Sequence, residues 1–437
     1  MTVDLRDGRG DPGRLFIDLT TAYQEQGRIA HGTTRVERGI AAGIAALRQT
    51  EVMACRYDRG LTRFRPLSHE EVAVIAASEG QPEPRRTVEH HQPSQQPFRA
   101  AGKRIELWVR HRIRDPLRAL RRKRQIATAP VAGDPETLLK PGDTLLVTGE
   151  LQRHDFDVLY HLKHTTGVRL AFVFYDLLGV LPEDDPRLAD PTSVDLPSSD
   201  FMVRQADAIL SISDYSKTAL LEHFARRRSS PPPMTVIRLG HTARTGPGSI
   251  TPVPDLESGR FILTVGDVVP RKNHGLLISV WKQLLADPSL PVLPLVIVGQ
   301  IGPEGADLAR HVEADADLRS RIRFLSNCDD ATLAWLYAEC AFTVFPSLSE
   351  GFGLPVAESL AAGKICVASS ATSLPEASQG CGIHIDPTDV EAWTRQLHAL
   401  MGDPVERERQ QKRLEVFQTW TWRHTATDIV DFLKHPH

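Results

Sequence analysis

Short, nearly continuous apolar runs recur along the chain and are separated by segments whose apolar residues have helical spacing. In the first half these runs are Leu15–Leu19, Thr144–Thr148, Leu170–Tyr175, Ala208–Ile212 and Thr235–Arg238. Helical spacing is found at Arg35–Leu47 and Tyr215–Phe224. Alternating strands and helices are typical of a parallel sheet with helices on both faces. The first half therefore predicts an α/β domain.

The same alternation restarts after a segment rich in Pro, Gly and Ser. The strand-like runs of the second half are Phe261–Val265, Leu295–Val298, Ile322–Leu325, Phe342–Phe345 and Ile365–Ala368. Helices are expected at His274–Leu285, Ala331–Glu339 and Pro355–Ala362. Runs that are apolar at nearly every position are typical of parallel strands buried on both faces. We therefore predict an α/β protein with two doubly wound Rossmann-like domains.

Chain length and linker composition indicate the domain boundaries. A chain of 437 residues is too long for one hydrophobic core. The segment Thr245–Gly259 (TGPGSITPVPDLESG) has the composition of a hinge. We assign residues 1–245 to an N-terminal domain, 246–259 to the linker and 260–415 to a C-terminal domain. A polar, Pro-rich insertion is expected at about 78–125 in the first domain.

Composition narrows the class of protein. Hydrophobic residues make up 41%, charged residues 24%, and the formal net charge is -3, which excludes a protein that is basic overall. The five cysteines are scattered and lack metal-ligand spacing, so we expect reduced thiols in a cytoplasmic protein. No signal peptide is evident, and no window approaches the roughly 20 apolar residues that span a bilayer.

The insertion contains one strongly basic segment, Lys103–Arg124, in which Trp108, Leu117 and other apolar residues are interleaved with cations. One interpretation is docking on anionic lipid at the inner face of the membrane, which would make the protein peripheral there. The other is a solvated helix whose Arg stems cover apolar surface, interrupted at Pro116. We expect no nucleic acid partner, because no recognition module accompanies the segment.

Two carboxylates flank a glycine-containing loop at Glu350–Glu358 (EGFGLPVAE). A strand ends near Phe345, and Pro355 suits the start of a helix, whose free N–H groups and dipole attract anions. Gly351 and Gly353 would let the backbone approach a diphosphate. One carboxylate could then face a sugar and the other a ribose. The alternative is an ordinary strand–turn–helix with two surface glutamates.

Two adjacent cations follow the first strand of the second half. Arg271 and Lys272 stand directly before an expected helix, and Gly266 closes the preceding strand. Fixed cations beside a helix N-terminus can stabilise a leaving group whose phosphate gains negative charge. A solvated basic turn is the alternative when this motif is considered alone. Both loops follow strand ends, where ligands bind in open α/β sheets.

Together these motifs make the second half resemble the family 4 glycosyltransferases, which have the GT-B fold of two Rossmann-like domains facing across a cleft. The resemblance covers Phe261 to about Asp389. It implies that Glu358 binds the donor ribose and that Glu350 contacts the transferred sugar. The other donor-binding residues that it implies are Gly266, Gly299, Leu325, Ser326, Gly351, Phe352, Gly353 and Leu354.

The first half resembles the family more loosely. The resemblance places Gly32, Thr33, Thr34 and Arg35 in the loop after the first strand, on the acceptor side. Tyr175 and Asp176 stand where relatives often have His-Asp, and Ser213, in a similar strand-to-helix turn, is expected to face the cleft. Asp176 would contact the acceptor or would cap a strand end. Residues 416–437, including Trp420 and Trp422, resemble a C-terminal helix that crosses back to the first domain.

The resemblance implies a retaining, metal-independent glycosyltransferase that needs no cofactor. The donor would be a nucleoside diphosphate hexose or deoxyhexose, GDP-mannose-type ahead of UDP-linked, and the acceptor a glycan or lipid-linked oligosaccharide in surface polysaccharide synthesis. Catalytic roles fall to Glu350, Arg271, Lys272 and Asp176. Asp315-Ala-Asp317 precedes a strand and is unsuited to metal, and Asp329-Asp330 is interpreted as a solvated pair in a loop. Alternatives are a phosphorylase or sugar-nucleotide epimerase of the same fold, or a non-catalytic binding protein.

Overall fold

The computed structural model describes most of both expected domains. The ranges described are 13–28, 32–47, 52–77, 138–177, 198–241, 251–326 and 328–434. The expected insertion at about 78–125, with its basic segment Lys103–Arg124, lies outside these residues. So does the part of the linker that precedes residue 251.

The N-terminal sheet has the strand order β3-β2-β1-β4-β5-β6-β7. Its strands are β1 Leu15–Asp18, β2 Val52–Asp58, β3 Arg63–Pro66, β4 Thr144–Val147, β5 Arg169–Phe174, β6 Ala208–Ser211 and β7 Met234–Val236. All pairings are parallel except that of the edge strand β3 with β2. The helices are α1 Thr20–Gln24, α2 Gly32–Leu47, α3 His69–Ala77, α4 Phe156–His161, α5 Ser198–Gln205 and α6 Asp214–Arg226.

This sheet separates two hydrophobic cores because successive strand residues point to opposite faces. Ile17 of β1 packs with Ile40 of α2 on one face. The neighbouring Phe16 packs with Phe172 of β5 on the other. Burial on both faces is why these strands are apolar at nearly every position.

The C-terminal sheet is parallel throughout, in the order β10-β9-β8-β11-β12-β13. Its strands are β8 Ile262–Val265, β9 Leu295–Val298, β10 Ile322–Leu325, β11 Phe342–Phe345, β12 Cys366–Ser369 and β13 Ile383–Ile385. The helices are α7 His274–Leu285, α8 Ala306–Ala314, α9 Ala316–Arg321, α10 Asp330–Glu339, α11 Leu354–Ala361, α12 Leu374–Ala377, α13 Val390–Gly402 and α14 Pro404–Lys412.

The strand order of the C-terminal sheet positions the site. Counted from β8 it is 3-2-1-4-5-6, so the winding reverses between β8 and β11. Loops that leave these two strands diverge to opposite faces and open a crevice at the carboxyl edge of the sheet. Trp281 and Trp393, both fully buried, fill the core on one face. The expected architecture of two doubly wound domains is confirmed.

The last helix, α15 Trp422–Lys434, packs against the N-terminal domain. Its buried Ile429 and Val430 join the core beneath α2. The Thr425 hydroxyl donates to the Arg238 carbonyl at 2.7 Å and accepts from the Gly240 N–H at 2.9 Å. The helix begins six residues later than the expected boundary at 416. Of the helices described, none is long and apolar enough to cross a bilayer.

Candidate functional site

A cleft of about 250 Å³ lies between the carboxyl edges of the two sheets. The N-terminal wall comprises Gly32, Thr33, Arg35, Val36, Tyr175, Asp176, Ile212 and Leu239. The C-terminal wall comprises Val265, Gly266, Asp267, Arg271, Lys272, Val298, Gly299, Leu325, Ser326, Cys328, Asp330, Leu333, Glu350, Gly351, Phe352, Leu354 and Pro355. Most of the predicted site residues are thus brought together, whereas Thr34, Ser213, Gly353 and Glu358 lie outside this lining.

An ion cluster stands at the point where β8 and β11 diverge. Lys272 donates to Glu350 Oε1, and Arg271 Nη1 donates to Glu350 Oε2 at 2.9 Å. Although burial opposes ionisation, the two cations hold the pKa of Glu350 below its usual range. Glu350 is therefore an ionised carboxylate that orients both cations. The pairing of the predicted cations with the predicted carboxylate was not foreseen from the sequence.

The cation-bearing turn is fixed by Asn273. Residues Pro270–Lys272 form one 3₁₀ turn, and Asn273 then adopts a left-handed conformation with φ 56°. Its Nδ2 donates to the Pro346 carbonyl at 3.1 Å and to the Pro387 carbonyl at 2.8 Å. These bonds attach the turn after β8 to the loops after β11 and β13. Asn273 therefore helps to keep Arg271 and Lys272 in register with Glu350.

The loop after β11 is held by hydroxyl groups that follow β12. Glu350 N donates to Thr372 Oγ1 at 3.0 Å. Ser373 Oγ donates to the carbonyls of Glu350 at 2.8 Å and Phe352 at 3.0 Å. Because Ser373 is fully buried, these bonds are shielded from water. Neither Thr372 nor Ser373 belongs to a motif that the sequence analysis identified.

Gly351 packs against the N-terminal domain. A Cβ at this position would overlap the Tyr175 carbonyl oxygen. The Gly351 carbonyl accepts hydrogen bonds from Ser213 Oγ at 2.6 Å and Ser216 Oγ at 3.1 Å. The expectation that Gly351 is glycine to admit a diphosphate is corrected: a domain contact occupies that space. Ser213, expected to face the cleft, instead caps α6 and bridges the domains.

Helix α11 begins one residue earlier than expected, at Leu354. Gly353 precedes it with φ 104°, a conformation that favours glycine. A Cβ there would contact Leu374 and not the cleft. Leu354 and Pro355 do line the cleft. Gly353 therefore shapes the turn that places Leu354 and Pro355 at the cleft.

Glu358 is held by residues from both domains. Both of its oxygens accept from the Arg35 guanidinium, with Nη1 to Oε2 at 3.2 Å. Tyr337 OH donates to Oε2 at 3.2 Å. Burial raises the pKa of Glu358, and Arg35 opposes that rise. Arg35 was expected in an acceptor-side loop, but Gly32–Arg35 is the first turn of α2, and its Thr34 is buried away from the cleft.

The far end of the C-terminal wall is formed where β8, β9 and β10 end. Four residues that were expected in the site lie there and line the cleft: Gly266, Gly299, Leu325 and Ser326. Asp330, at the start of α10, also lines it. Asp329 and Asp330 were interpreted as a solvated pair, and Asp329 instead caps α10 by accepting from Thr332 N at 2.8 Å. The Asp315 carboxylate likewise caps α9 by accepting from Leu318 N at 3.2 Å.

A buried polar cluster supports the N-terminal wall. Glu37 of α2 accepts from Ala22 N at 2.6 Å and from Thr148 Oγ1 at 3.2 Å. Tyr175 OH donates to the Thr148 carbonyl at 2.6 Å, which fixes the side chain beside Asp176. Burial and then the Asp18 carboxylate raise the pKa of Glu37 well above its usual range. The cluster therefore attaches the cleft-facing strand ends to α2.

Replacing Glu37 by glutamine is expected to stabilise the protein increasingly as pH rises. The unfolded chain ionises near the ordinary value of 4.5, but the folded state retains this proton to higher pH, so wild-type stability falls as pH increases. Glutamine keeps the hydrogen-bonding shape without the charge. The melting temperatures of wild type and variant should diverge between about pH 5 and pH 8, by roughly 2–4 °C for each kcal/mol of difference in the free energy of unfolding. A constant difference across this range would contradict the assignment.

A family model covers the part of the chain that forms the C-terminal wall. Residues 252–415 match the model described as "Glycosyl transferases group 1". Residues 252–415 are therefore similar to the group 1 glycosyltransferases. This match agrees with the expected resemblance to the family 4 glycosyltransferases.

Curated relatives match about half of this chain or less. O-antigen chain mannosyltransferase B of Escherichia coli is 30% identical over 233 residues, or 52% of this chain and 61% of the relative. A serotype-specific mannosyltransferase WbdA of Escherichia coli is 34% identical over 173 residues, covering 39% of this chain and 21% of the relative. The matched segments therefore span less than two thirds of each relative.

Solved structures align along nearly the whole chain. HepE from Anabaena, in complex with UDP, has 14% identity and a TM-score of 0.56, covering 96% of this chain and 99% of that one. Sucrose-phosphate synthase from Thermosynechococcus elongatus has 16% identity and a TM-score of 0.56, covering 96% and 98%. At these identities the likeness is one of fold. The chain therefore has the GT-B fold.

Proposed function

We propose that this protein transfers a hexose or deoxyhexose from a nucleoside diphosphate sugar to a hydroxyl of a glycan or lipid-linked acceptor in surface polysaccharide synthesis. The observation that carries the proposal is the Arg271–Lys272–Glu350 cluster at the crevice between β8 and β11. Two cations oriented by one buried carboxylate suit a diphosphate whose charge grows as the glycosidic bond breaks. The family match of residues 252–415 supports the same reaction class.

The proposed chemistry needs no metal ion. Lys272 is 13% exposed in its side chain, so its charge acts in a partly desolvated site and is weakly screened. Arg271 adds a second, more exposed charge beside it. The cations would stabilise the departing diphosphate, and one of its oxygens would take the proton of the incoming hydroxyl on the same face of the sugar. The anomeric configuration would then be retained.

The proposed donor is a GDP-mannose-type sugar. Guanine presents a ring N–H and an exocyclic amino group on one edge, and a carboxylate can accept from both. Asp330 lines the wall beside Leu325 and Ser326, where the base would lie. Two of the curated relatives are named as mannosyltransferases, which favours a mannose-type sugar. Glu358 would bind the ribose, and Asp176 on the opposite wall would contact the acceptor.

Turnover of a donor panel tests this function. Purified protein incubated with GDP-mannose, UDP-glucose and acceptor glycans or lipid-linked oligosaccharides is expected to release GDP faster than UDP, without inorganic phosphate and in the presence of EDTA. NMR of the product should show the donor's anomeric configuration. Inversion would instead favour Asp176 as a general base. Strict dependence on phosphate would indicate a phosphorylase, and free epimerised sugar nucleotide an epimerase.

A further inference from the structure

Arg35 and Glu358 form an ion pair across the cleft between the domains. Arg35 belongs to the first turn of α2 in the N-terminal domain, and Glu358 lies in α11 of the C-terminal domain. Both guanidinium Nη groups donate, one to each carboxylate oxygen. This two-point geometry is the strongest form of arginine–carboxylate pairing. Their side chains are 23% and 10% exposed, so solvent screens the pair weakly.

The Arg35–Glu358 ion pair occupies the carboxylate oxygens of Glu358 that the ribose of the proposed sugar donor would need. Glu358 also accepts from Tyr337 OH at 3.2 Å, so its Oε2 already has two donors. A ribose diol is itself a two-point donor that matches a carboxylate. Arg35 lines the cleft, whereas Glu358 lies behind it. A ribose that approaches Glu358 from the cleft therefore meets Arg35 first.

We infer that Arg35 competes with the donor ribose for Glu358, and so gates the ribose end of the donor site. This inference rests on the proposed function and adds a regulating residue to that site. Donor binding exchanges the guanidinium for the ribose diol and thereby breaks a domain-bridging ion pair. The negative charge of Asp330, which favours the cationic form of Arg35, remains nearby after the exchange.

The test compares nucleotides that differ only in the ribose hydroxyls. GDP and 2′,3′-dideoxy-GDP are titrated calorimetrically into wild-type protein and the Arg35→Ala variant. Competition predicts that the variant binds GDP more tightly and that its preference for GDP over the dideoxy nucleotide grows by about tenfold or more, because charge-assisted hydrogen bonds are regained. The Arg35→Lys variant retains a positive charge but cannot donate two parallel hydrogen bonds to a carboxylate. Its preference for GDP over the dideoxy nucleotide should lie between those of wild type and Arg35→Ala.

Arg238→Ala is the matched control. Arg238 makes a two-point ion pair with Asp428, at 2.9 and 2.6 Å, between the N-terminal domain and α15. It is absent from the cleft lining, so its loss should leave the preference for GDP unchanged. Circular dichroism verifies that each variant is folded, and Arg35→Lys is measured if Arg35→Ala unfolds.

The outcomes separate this inference from the proposed function. An unchanged preference, or equal loss of affinity for both nucleotides, would overturn competition, since Arg35 would then support the fold or bind the phosphates. Binding of GDP with donor turnover would leave the proposed function intact in that case. If wild-type protein bound neither GDP nor UDP, the proposed function would fail and the ribose gate with it.

Discussion

Replacing Lys272 by alanine is expected to lower turnover by about 10²–10³-fold, the range observed when one preorganised charge-stabilising donor is lost. Lys272 is the more buried of the two cations that pair with Glu350. Its loss leaves Arg271 to orient Glu350 and removes the charge nearest to Gly266 at the end of β8. Initial rates at saturating donor measure the effect, which should appear in kcat.

Lys163→Ala provides the matched control for Lys272→Ala. Lys163 Nζ lies 2.7 Å from Asp207 and its side chain is 20% exposed, so a comparable ion pair is removed far from the cleft. Its kcat should stay close to wild type. Similar rates for the two variants would show that ion-pair loss alone accounts for the effect. Near-normal turnover of Lys272→Ala would refute the assignment of the cation cluster.

The Gly351→Ala substitution is expected to reduce turnover by about 10²-fold without touching a charged group. The added methyl group would overlap the Tyr175 carbonyl oxygen, so the loop after β11 and the N-terminal domain must move apart. That movement would break the hydrogen bonds from Ser213 and Ser216 to the Gly351 carbonyl. Overpacking of this kind also costs about 1–3 kcal/mol of stability.

Gly275→Ala separates this steric effect from the general effect of adding a methyl group. Gly275 lies in α7, and a Cβ there would meet nothing within 4 Å. Alanine at this exposed helical position should raise the melting temperature slightly and leave the rate unchanged. Unaltered turnover of Gly351→Ala would mean that the contact between Gly351 and Tyr175 has no part in activity.

Buried strands could be predicted where both faces of the sheet are covered. β9 and β11 were predicted at their observed bounds because each is apolar or β-branched at every position. β2 was missed because Arg56 and Asp58 interrupt its apolar pattern near the sheet edge. β13 has only three residues, too few for a periodic signal. Central strands thus carry stronger local signals than edge strands.

The individual residues of the candidate site could be predicted from the sequence, but the contacts between them could not. The alternation of strands and helices already indicates a parallel sheet whose strand ends meet at one crevice. The residues that follow those strand ends include Arg271, Lys272 and Glu350. The contact of Arg35 with Glu358 joins positions 323 residues apart, on different domains, and depends on how those domains face. Local sequence contains no signal for such a contact. For the same reason Ser213 was placed in the cleft.

The return of α15 to the first domain affects the order in which the chain can fold during synthesis. Ile429 and Val430 complete a core whose other members, such as Ile17 and Ile40, are made some 400 residues earlier. Domains made at the ribosome generally fold as units, N-terminal first. Here the N-terminal unit is discontinuous, so its core stays partly uncovered until the C-terminal domain has been synthesised. The later domain can finish folding before the earlier one does.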